Sequence, residues 1–232
     1  MQQAQALRVG TPVSSLDTEA RSTFIKRTYM HLAGAILGFG AIESWLFDSG
    51  LGQQIAQALL GFNWLLILGA FMIVGWIASH VAHRVDSKPL QYAALAGFVV
   101  AEAVIFVPLL YLAVSLQPAI IESAAGVTLL GTAGLTAVAF LTRKDFSFLR
   151  GLLMWGGILA LIAIVASVIF GFHMGTWFST AMIAFAGAAI LYDTSNVLHH
   201  YPEDRYVAAS LELFASIALM FWYVLSLFMS RE

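Results

Sequence analysis

One carboxylate stands inside an otherwise apolar segment of the chain. Asp193 lies in the run Leu-Tyr-Asp-Thr-Ser-Asn of residues 191 to 196, within an apolar stretch from about residue 176 to 198. A carboxylate is unfavourable in lipid, so it requires a neutralising partner or a functional reason. Asp193 is therefore the first candidate functional residue.

Glu212 is the acid best placed to meet Asp193. Each lies six or seven residues from the loop that joins the last two apolar segments. At about 1.5 Å per residue, both lie roughly 10 Å inside the same end of adjacent antiparallel helices. Two carboxylates in a poorly solvated site do not readily ionise together, so they could share a proton near neutral pH. Alternatively, each is satisfied separately, with Ser195 or Ser216 as the partner of Asp193.

Three further acids lie within or beside apolar segments. Glu102 is midway along one segment and needs a polar partner or a proton. Glu43 and Glu122 lie near segment ends, where they can reach the membrane interface. Acidic side chains concentrate cations, so these three could line an ion route. Solvated helix ends account equally well for Glu43 and Glu122.

The sequence does not carry a recognisable catalytic or metal-binding pattern. His80 and His83 share a helix face, but without a third ligand they are predicted to be an interfacial pair. There are no cysteines, which excludes thiolate chemistry. An intramembrane aspartyl protease needs a second aspartate within a span, and a serine protease would favour a Gly-x-Ser-x-Gly motif; both are absent. We therefore predict no enzymatic activity and no cofactor.

The composition is typical of a polytopic membrane protein. Hydrophobic residues make up 60% and charged residues only 10%, whereas soluble domains have roughly 25% charged residues. The net charge of −2 gives no indication of nucleic-acid binding. We predict an all-α membrane domain over residues 23–232, preceded by a flexible tail over residues 1–22. Seven apolar segments are long enough to span a bilayer, at about residues 25–47, 63–82, 90–114, 118–141, 151–172, 176–198 and 206–229.

The basic residues predict how these segments are oriented. Cytoplasmic loops are enriched in Lys and Arg, and ten of the eleven basic residues fall on one side of the seven segments. The tail is therefore predicted to be cytoplasmic and the C-terminus external. If the last segment re-enters instead of crossing, Arg231 lies on the same side of the membrane as the other ten basic residues. The ten are Arg8, Arg21, Lys26, Arg27, Arg84, Lys88, Arg143, Lys144, Arg150 and Arg205.

Two segments resemble the signature sequences of the Bax inhibitor-1 family. They are Leu-Thr-Arg-Lys-Asp-Phe-Ser-Phe-Leu at residues 141–149 and Leu-Tyr-Asp-Thr-Ser-Asn-Val-Leu-His at residues 191–199. They are most similar to the bacterial branch that modulates the membrane AAA protease FtsH. The resemblance implies a seven-helix bundle around a central last helix, in the inner membrane of a bacterial cell. It also implies an acidic pair that joins the last two spans. In the family members that leak calcium, protonation of this pair shifts the bundle between closed and open forms.

The chain departs from the family pattern at the second acid. Asp193 matches the first acid, but Ser216 stands where many relatives have an aspartate. Glu212 lies four residues earlier, on the same helix face. The second predicted span also contains no arginine, which some relatives use to hold the first acid. We therefore expect Asp193, with Glu212 or Ser216, to form the proton-sensing group.

Two classes of function remain open. The first is a regulatory protein that engages an FtsH-type protease through its N-terminal tail. The second is a pH-gated cation leak, with calcium as the expected ion, in which deprotonation around Asp193 opens a cytoplasmic gate. In that case Glu102, Glu43 or Glu122 would line the route. Membrane lipid surrounds the protein in both.

Overall fold

The computed structural model describes residues 10–172 and 174–230. Within these ranges the chain forms α-helices joined by short loops, with 3-10 turns at Val13–Ser15 and Glu203–Arg205. The helices are α1 Thr18–Asp48, α2 Leu51–Leu60, α3 Trp64–Arg84, α4 Lys88–Leu116, α5 Ala119–Thr142, α6 Leu149–Phe170, α7 Gly175–His199 and α8 Tyr206–Met229.

Seven of these helices, all except α2, are long and apolar enough to cross a membrane. The predicted all-α membrane fold with seven spans is therefore confirmed. The helix α8 runs without a break from residue 206 to 229, whereas a re-entrant segment would need an interruption. Arg8 and Arg231, which belong to the predicted charge pattern, lie outside the described residues.

The short helix α2 is the element that the sequence reading missed. Gly50, with φ of 77°, turns the chain sharply between α1 and α2, a conformation that glycine adopts without strain. Ala56 is fully buried against the bundle, while Leu51 and Leu60 are exposed. At ten residues this amphipathic helix is too short to span a bilayer, and its exposed apolar side suits the membrane interface.

The last helix lies at the centre of the bundle, as the family resemblance implied. It packs against α1, α3, α4, α5 and α7. Leu211, Leu213 and Leu225 on α8 are almost completely buried. The helix α6 is peripheral: it packs mainly on α7, and none of its residues is fully buried.

The described part of the predicted tail, residues 10–22, makes contacts with the helical bundle. Val13 is fully buried, and its N–H donates to the Tyr201 carbonyl at 2.9 Å. Ser14 Oγ donates to the His199 carbonyl at 2.8 Å, and Asp17 caps the first turn of α1. The boundary at residue 22 stays a prediction, and these contacts lie on its N-terminal side. Residues 1–9 of the predicted tail lie outside the described residues.

The start of α8 is fixed to the loop between α3 and α4. Arg205 donates to the Val85 carbonyl at 2.8 Å and pairs with Asp86. The Lys88 ammonium donates to the Asp204 carbonyl. These charged contacts set the height of α8 relative to α3 and α4.

The helices α6 and α7 approach closely at Gly156. A Cβ atom added there would lie 2.9 Å from the ring of Phe185 on α7. Small residues let membrane helices pack tightly where lipid gives no hydrophobic force between them. This contact fixes to the bundle the side of α6 that faces α7.

Gly156→Leu is expected to destabilise the protein by about 1–3 kcal/mol, because the added side chain overpacks the contact with Phe185. Thermal unfolding in detergent measures the change. Gly151→Leu on the same helix is the matched control, since a Cβ there meets open space. Equal unfolding temperatures for the two variants would show that the α6–α7 contact is not tight.

Candidate functional site

A cavity of about 630 Å³ lies beside Asp193, between α3, α7, α8 and the turn that joins α7 to α8. Its lining is unusually rich in ionisable groups for a membrane bundle. These groups are His80, His83, Arg84, Tyr192, Asp193, His200, Tyr201 and Glu212. The cavity therefore gathers the two acids singled out from the sequence, together with bases from α3 and from the turn.

Asp193 is bonded to α8 through Ser216. The Ser216 hydroxyl donates to Asp193 Oδ2 at 2.5 Å, at the short end of the range for a hydroxyl and a carboxylate. Asp193 is only 9% exposed, so this bond replaces water that the carboxylate has lost. Ser216, one of the two partners that the sequence suggested, is thus the direct partner of Asp193.

Glu212 is held by α3 and not by Asp193. Its Oε1 accepts a hydrogen bond from Ser79 Oγ at 2.7 Å, and His83 Nδ1 lies 3.7 Å away. The two carboxylates line the same cavity, but each has its own hydroxyl partner. This arrangement corresponds to the separately satisfied acids that the sequence left open.

His83 links Glu212 to the turn between α7 and α8. Its Nε2 lies 3.4 Å from the Tyr201 hydroxyl. Burial, together with the neighbouring carboxylates of Glu212 and Asp193, raises the pKa of the Tyr201 phenol well above its ordinary value. Tyr201 is therefore a neutral hydroxyl at any physiological pH, able to donate or accept a hydrogen bond.

Ser79 and His83 are the site residues that sequence reasoning missed. They lie four residues apart and so share one face of α3, a spacing that is visible in the sequence. His80, the other histidine on this face, stacks on Trp76, with ring centroids 5.5 Å apart. Among the described residues, no three acidic or histidine side chains converge to hold a metal ion.

The two segments that carry the family resemblance meet at the end of α7. Ser195 Oγ accepts from the Phe146 N–H at 2.9 Å, and Asp145 Oδ2 lies 3.0 Å from His200 Nε2. Ser195 thus anchors the loop between α5 and α6 and is not a partner of Asp193.

Asp145 acts as a fixed negative charge in this contact. The backbone N–H of Ser147, with a further contribution from His200, lowers the pKa of Asp145 from its ordinary value of 3.8 to about 2. A lowered pKa means that the contact contributes stability above the ordinary value and loses it only as the pH falls towards 2. Asp145 is therefore ionised throughout the neutral range and is not a sensor there.

The three acids predicted to line an ion route lie in different environments. Glu102 is 6% exposed and lines a second cavity of about 1010 Å³, which also contains Glu212. Glu43 is 7% exposed, and neither of its carboxylate oxygens has a hydrogen-bond partner. Glu122 is exposed on α5. Of the three, only Glu102 lies beside either of these two cavities.

Ser216→Ala is expected to lower the free energy of unfolding by about 1–3 kcal/mol, because it leaves a buried carboxylate without its donor. Ser226→Ala is the control. Ser226 borders the second cavity, but its hydroxyl bonds to the Trp222 carbonyl of its own helix at 2.8 Å. Thermal unfolding in detergent compares the two, and similar losses would argue against a structural role for the bond to Asp193.

Comparison with known proteins gives both a family match and individual relatives. Residues 21–232 match the family model described as "Inhibitor of apoptosis-promoting Bax1". The chain is 36% identical over 102 residues to "Modulator of FtsH protease YccA" of Escherichia coli strain K12, covering 42% of this chain and 45% of that protein. The alignments with such bacterial relatives thus span about half of their length.

Two eukaryotic relatives align over most of their length. The chain is 28% identical over 223 residues to "Protein LIFEGUARD 4" of Arabidopsis thaliana, covering 92% of this chain and 87% of that protein. It is also 28% identical over 239 aligned positions to "Bax inhibitor 1" of Schizosaccharomyces pombe, covering 94% of this chain and 80% of that protein. Similarity to these proteins therefore extends over nearly the whole chain.

Proposed function

Since the chain belongs to the Bax inhibitor-1 family, we propose that it is a regulatory membrane protein whose helical bundle responds to the protonation of Asp193. The observation that carries the proposal is the hydrogen bond from Ser216 to Asp193, between the central helix α8 and its neighbour α7. The role is regulatory and not enzymatic, in keeping with the names of two relatives, a modulator and an inhibitor.

Charge repulsion within the cavity supports this response. Asp193 and Glu212 border the same cavity of about 630 Å³. When both are ionised, two like charges border one cavity and repel each other. A proton on Asp193 removes the repulsion and leaves the contact with Ser216 in place. We therefore expect the protonated form to favour the closed bundle and the ionised form to favour an open one.

The effector that we propose is a membrane AAA protease of the FtsH type. Support comes from the similarity to the modulator YccA of Escherichia coli. A relative named as an inner membrane protein favours a bundle in the inner membrane of a bacterial cell. The charge bias favours an N-terminus in the cytoplasm. The contact would be made by the N-terminal tail. The described part of that tail is bonded to the turn carrying Tyr201, so a bound partner would lie beside the acid cavity.

Deletion of residues 1–9 is expected to reduce co-purification of an FtsH-type protease. This truncation keeps Val13, Ser14 and Asp17, so the packing of α1 is preserved. Deletion of residues 1–22 would remove those contacts and confound the result. The control replaces residues 1–9 by a Gly-Ser segment of equal length, which should also lose the protease. Full retention of the protease in both variants would contradict a contact through the tail.

A pH-gated cation leak is the second candidate, and one feature of the cavities favours it. The cavity beside Asp193 and the larger cavity beside Glu102 share Trp76, Ser79 and Glu212 in their linings. A route past Glu212 would therefore connect the basic side of the protein with the middle of the bundle. We propose calcium as the ion, since carboxylate oxygens are its preferred ligands.

Proteoliposomes that contain a calcium-sensitive dye test the leak. Calcium entry should be faster at about pH 8 than at about pH 6, because ionisation of buried acids opens the cavity. Asp193→Asn cannot ionise and should give slow entry at both values. Asp48→Asn, which changes an exposed carboxylate at the end of α1, should behave as wild type. Absence of calcium entry at every pH would rule out the leak and leave the protease role unaffected.

A further inference from the structure

The larger cavity is a cleft of about 1010 Å³ that lies among the membrane-spanning helices. Its walls are α3, α4, α7 and α8 on the inside and α6 on the outside. Because α6 packs mainly on α7 and not on α3 or α4, its other flank borders the cleft. Lipid can therefore reach the cleft sideways, between α3 and α6.

The cleft is lined mainly by apolar and aromatic side chains, and the charged side chains among them are all acidic. The aromatic residues include Trp64, Phe71 and Trp222, while Glu102 and Glu212 are the ionisable acids. No Lys, Arg or His occurs among the described residues that line it. An anionic amphiphile such as a fatty acid would meet only like charge there.

Glu102 is the acid in this cleft that lacks a partner. It is 6% exposed, and no other described residue donates a hydrogen bond to its carboxylate or forms an ion pair with it. Glu212, by contrast, already accepts from Ser79. Buried polar groups almost always have a partner, and an ionisable group within a span is a functional site by default.

The surroundings of Glu102 suit a positive charge. Phe98 and Phe106 lie four residues before and after Glu102 on α4, so the three side chains share one helix face. Both rings line the cleft with Glu102, and aromatic faces attract cations. Glu102 is also 14 residues from the start of α4, roughly 21 Å along the helix, which is far from water at that end.

We propose that this cleft binds a lipophilic amine, with the protonated amine against Glu102 and the aliphatic chain along the apolar wall of α6. The ligand enters from the bilayer, where an aliphatic chain partitions readily. An alkyl ammonium resembles the side chain of lysine and stays protonated at neutral pH. The wall that receives the chain includes Ile158, Leu161 and Ile164. This inference does not depend on protease binding or on ion flux.

Three amphiphiles of equal chain length test the proposal: dodecylamine, dodecanol and dodecanoate. Native mass spectrometry of the full-length protein in a neutral detergent measures the fraction that carries one ligand at each concentration. Wild type should bind the amine at least about ten-fold more tightly than the alcohol, because charge-assisted hydrogen bonds to Glu102 and cation–π contacts with the phenylalanine rings favour the ammonium. Dodecanoate should bind less tightly than the alcohol.

Glu102→Gln should reduce the preference for the amine to within about two-fold, since the amide keeps the shape but loses the charge. Glu122→Gln is the matched control, because Glu122 is exposed on α5, and it should keep the preference. Equal binding of amine and alcohol by wild type, or an unchanged preference in Glu102→Gln, would overturn the proposal.

A second variant covers the case in which Glu102→Gln does not fold. Ala160→Phe fills the cleft from α6 without altering an acid, since Ala160 is half-buried and lines the cleft. It should lose amine binding while keeping the thermal unfolding temperature of the wild type within a few degrees. Retention of wild-type amine affinity in a folded Ala160→Phe variant would show that the ligand lies elsewhere.

Discussion

The bond between Ser216 and Asp193 lies within the most extensive helix contact of the bundle, where α7 packs against the central helix α8. In lipid, a buried carboxylate is tolerated only when a partner or a proton neutralises it. The position of α7 is therefore tied to the state of one acid. Two other parts of the chain act on the same end of α7: the segment before α1, through Val13, and the loop between α5 and α6, through Asp145.

The intramembrane acids fall into two groups, those with a hydrogen-bond donor on a neighbouring helix and those without one. Asp193 and Glu212 each accept a hydrogen bond from a serine on a neighbouring helix, which fixes the height of that helix. Glu102 and Glu43 are as deeply buried as Asp193, yet no side chain of the described residues satisfies them. The first pair therefore holds the architecture together. Glu102 and Glu43 are therefore free to bind a ligand or a proton.

The replacement of an aspartate by Ser216 changes what the family site can do. A hydroxyl donates to a carboxylate without adding a second charge, so the contact between α7 and α8 depends on the ionisation of Asp193 alone. Glu212 lies one turn before Ser216 on α8, where α3 supplies Ser79 and His83 as its neighbours. The two acids influence each other through the shared cavity rather than through direct contact.

Local patterns in the sequence were sufficient to predict the seven spans, to single out Asp193 and to suggest Ser216 as its alternative partner. Hydropathy and the spacing of acids from a loop depend only on nearby residues. The tertiary structure alone decided that Ser79 holds Glu212, that Glu122 faces outward, that Glu102 borders a cleft and that residues 10–22 pack on the α7–α8 turn. The physical reason is that apolar side chains face both lipid and protein in a membrane bundle. Hydropathy therefore does not record which face of a helix points inward, and only the packed structure fixes that rotation.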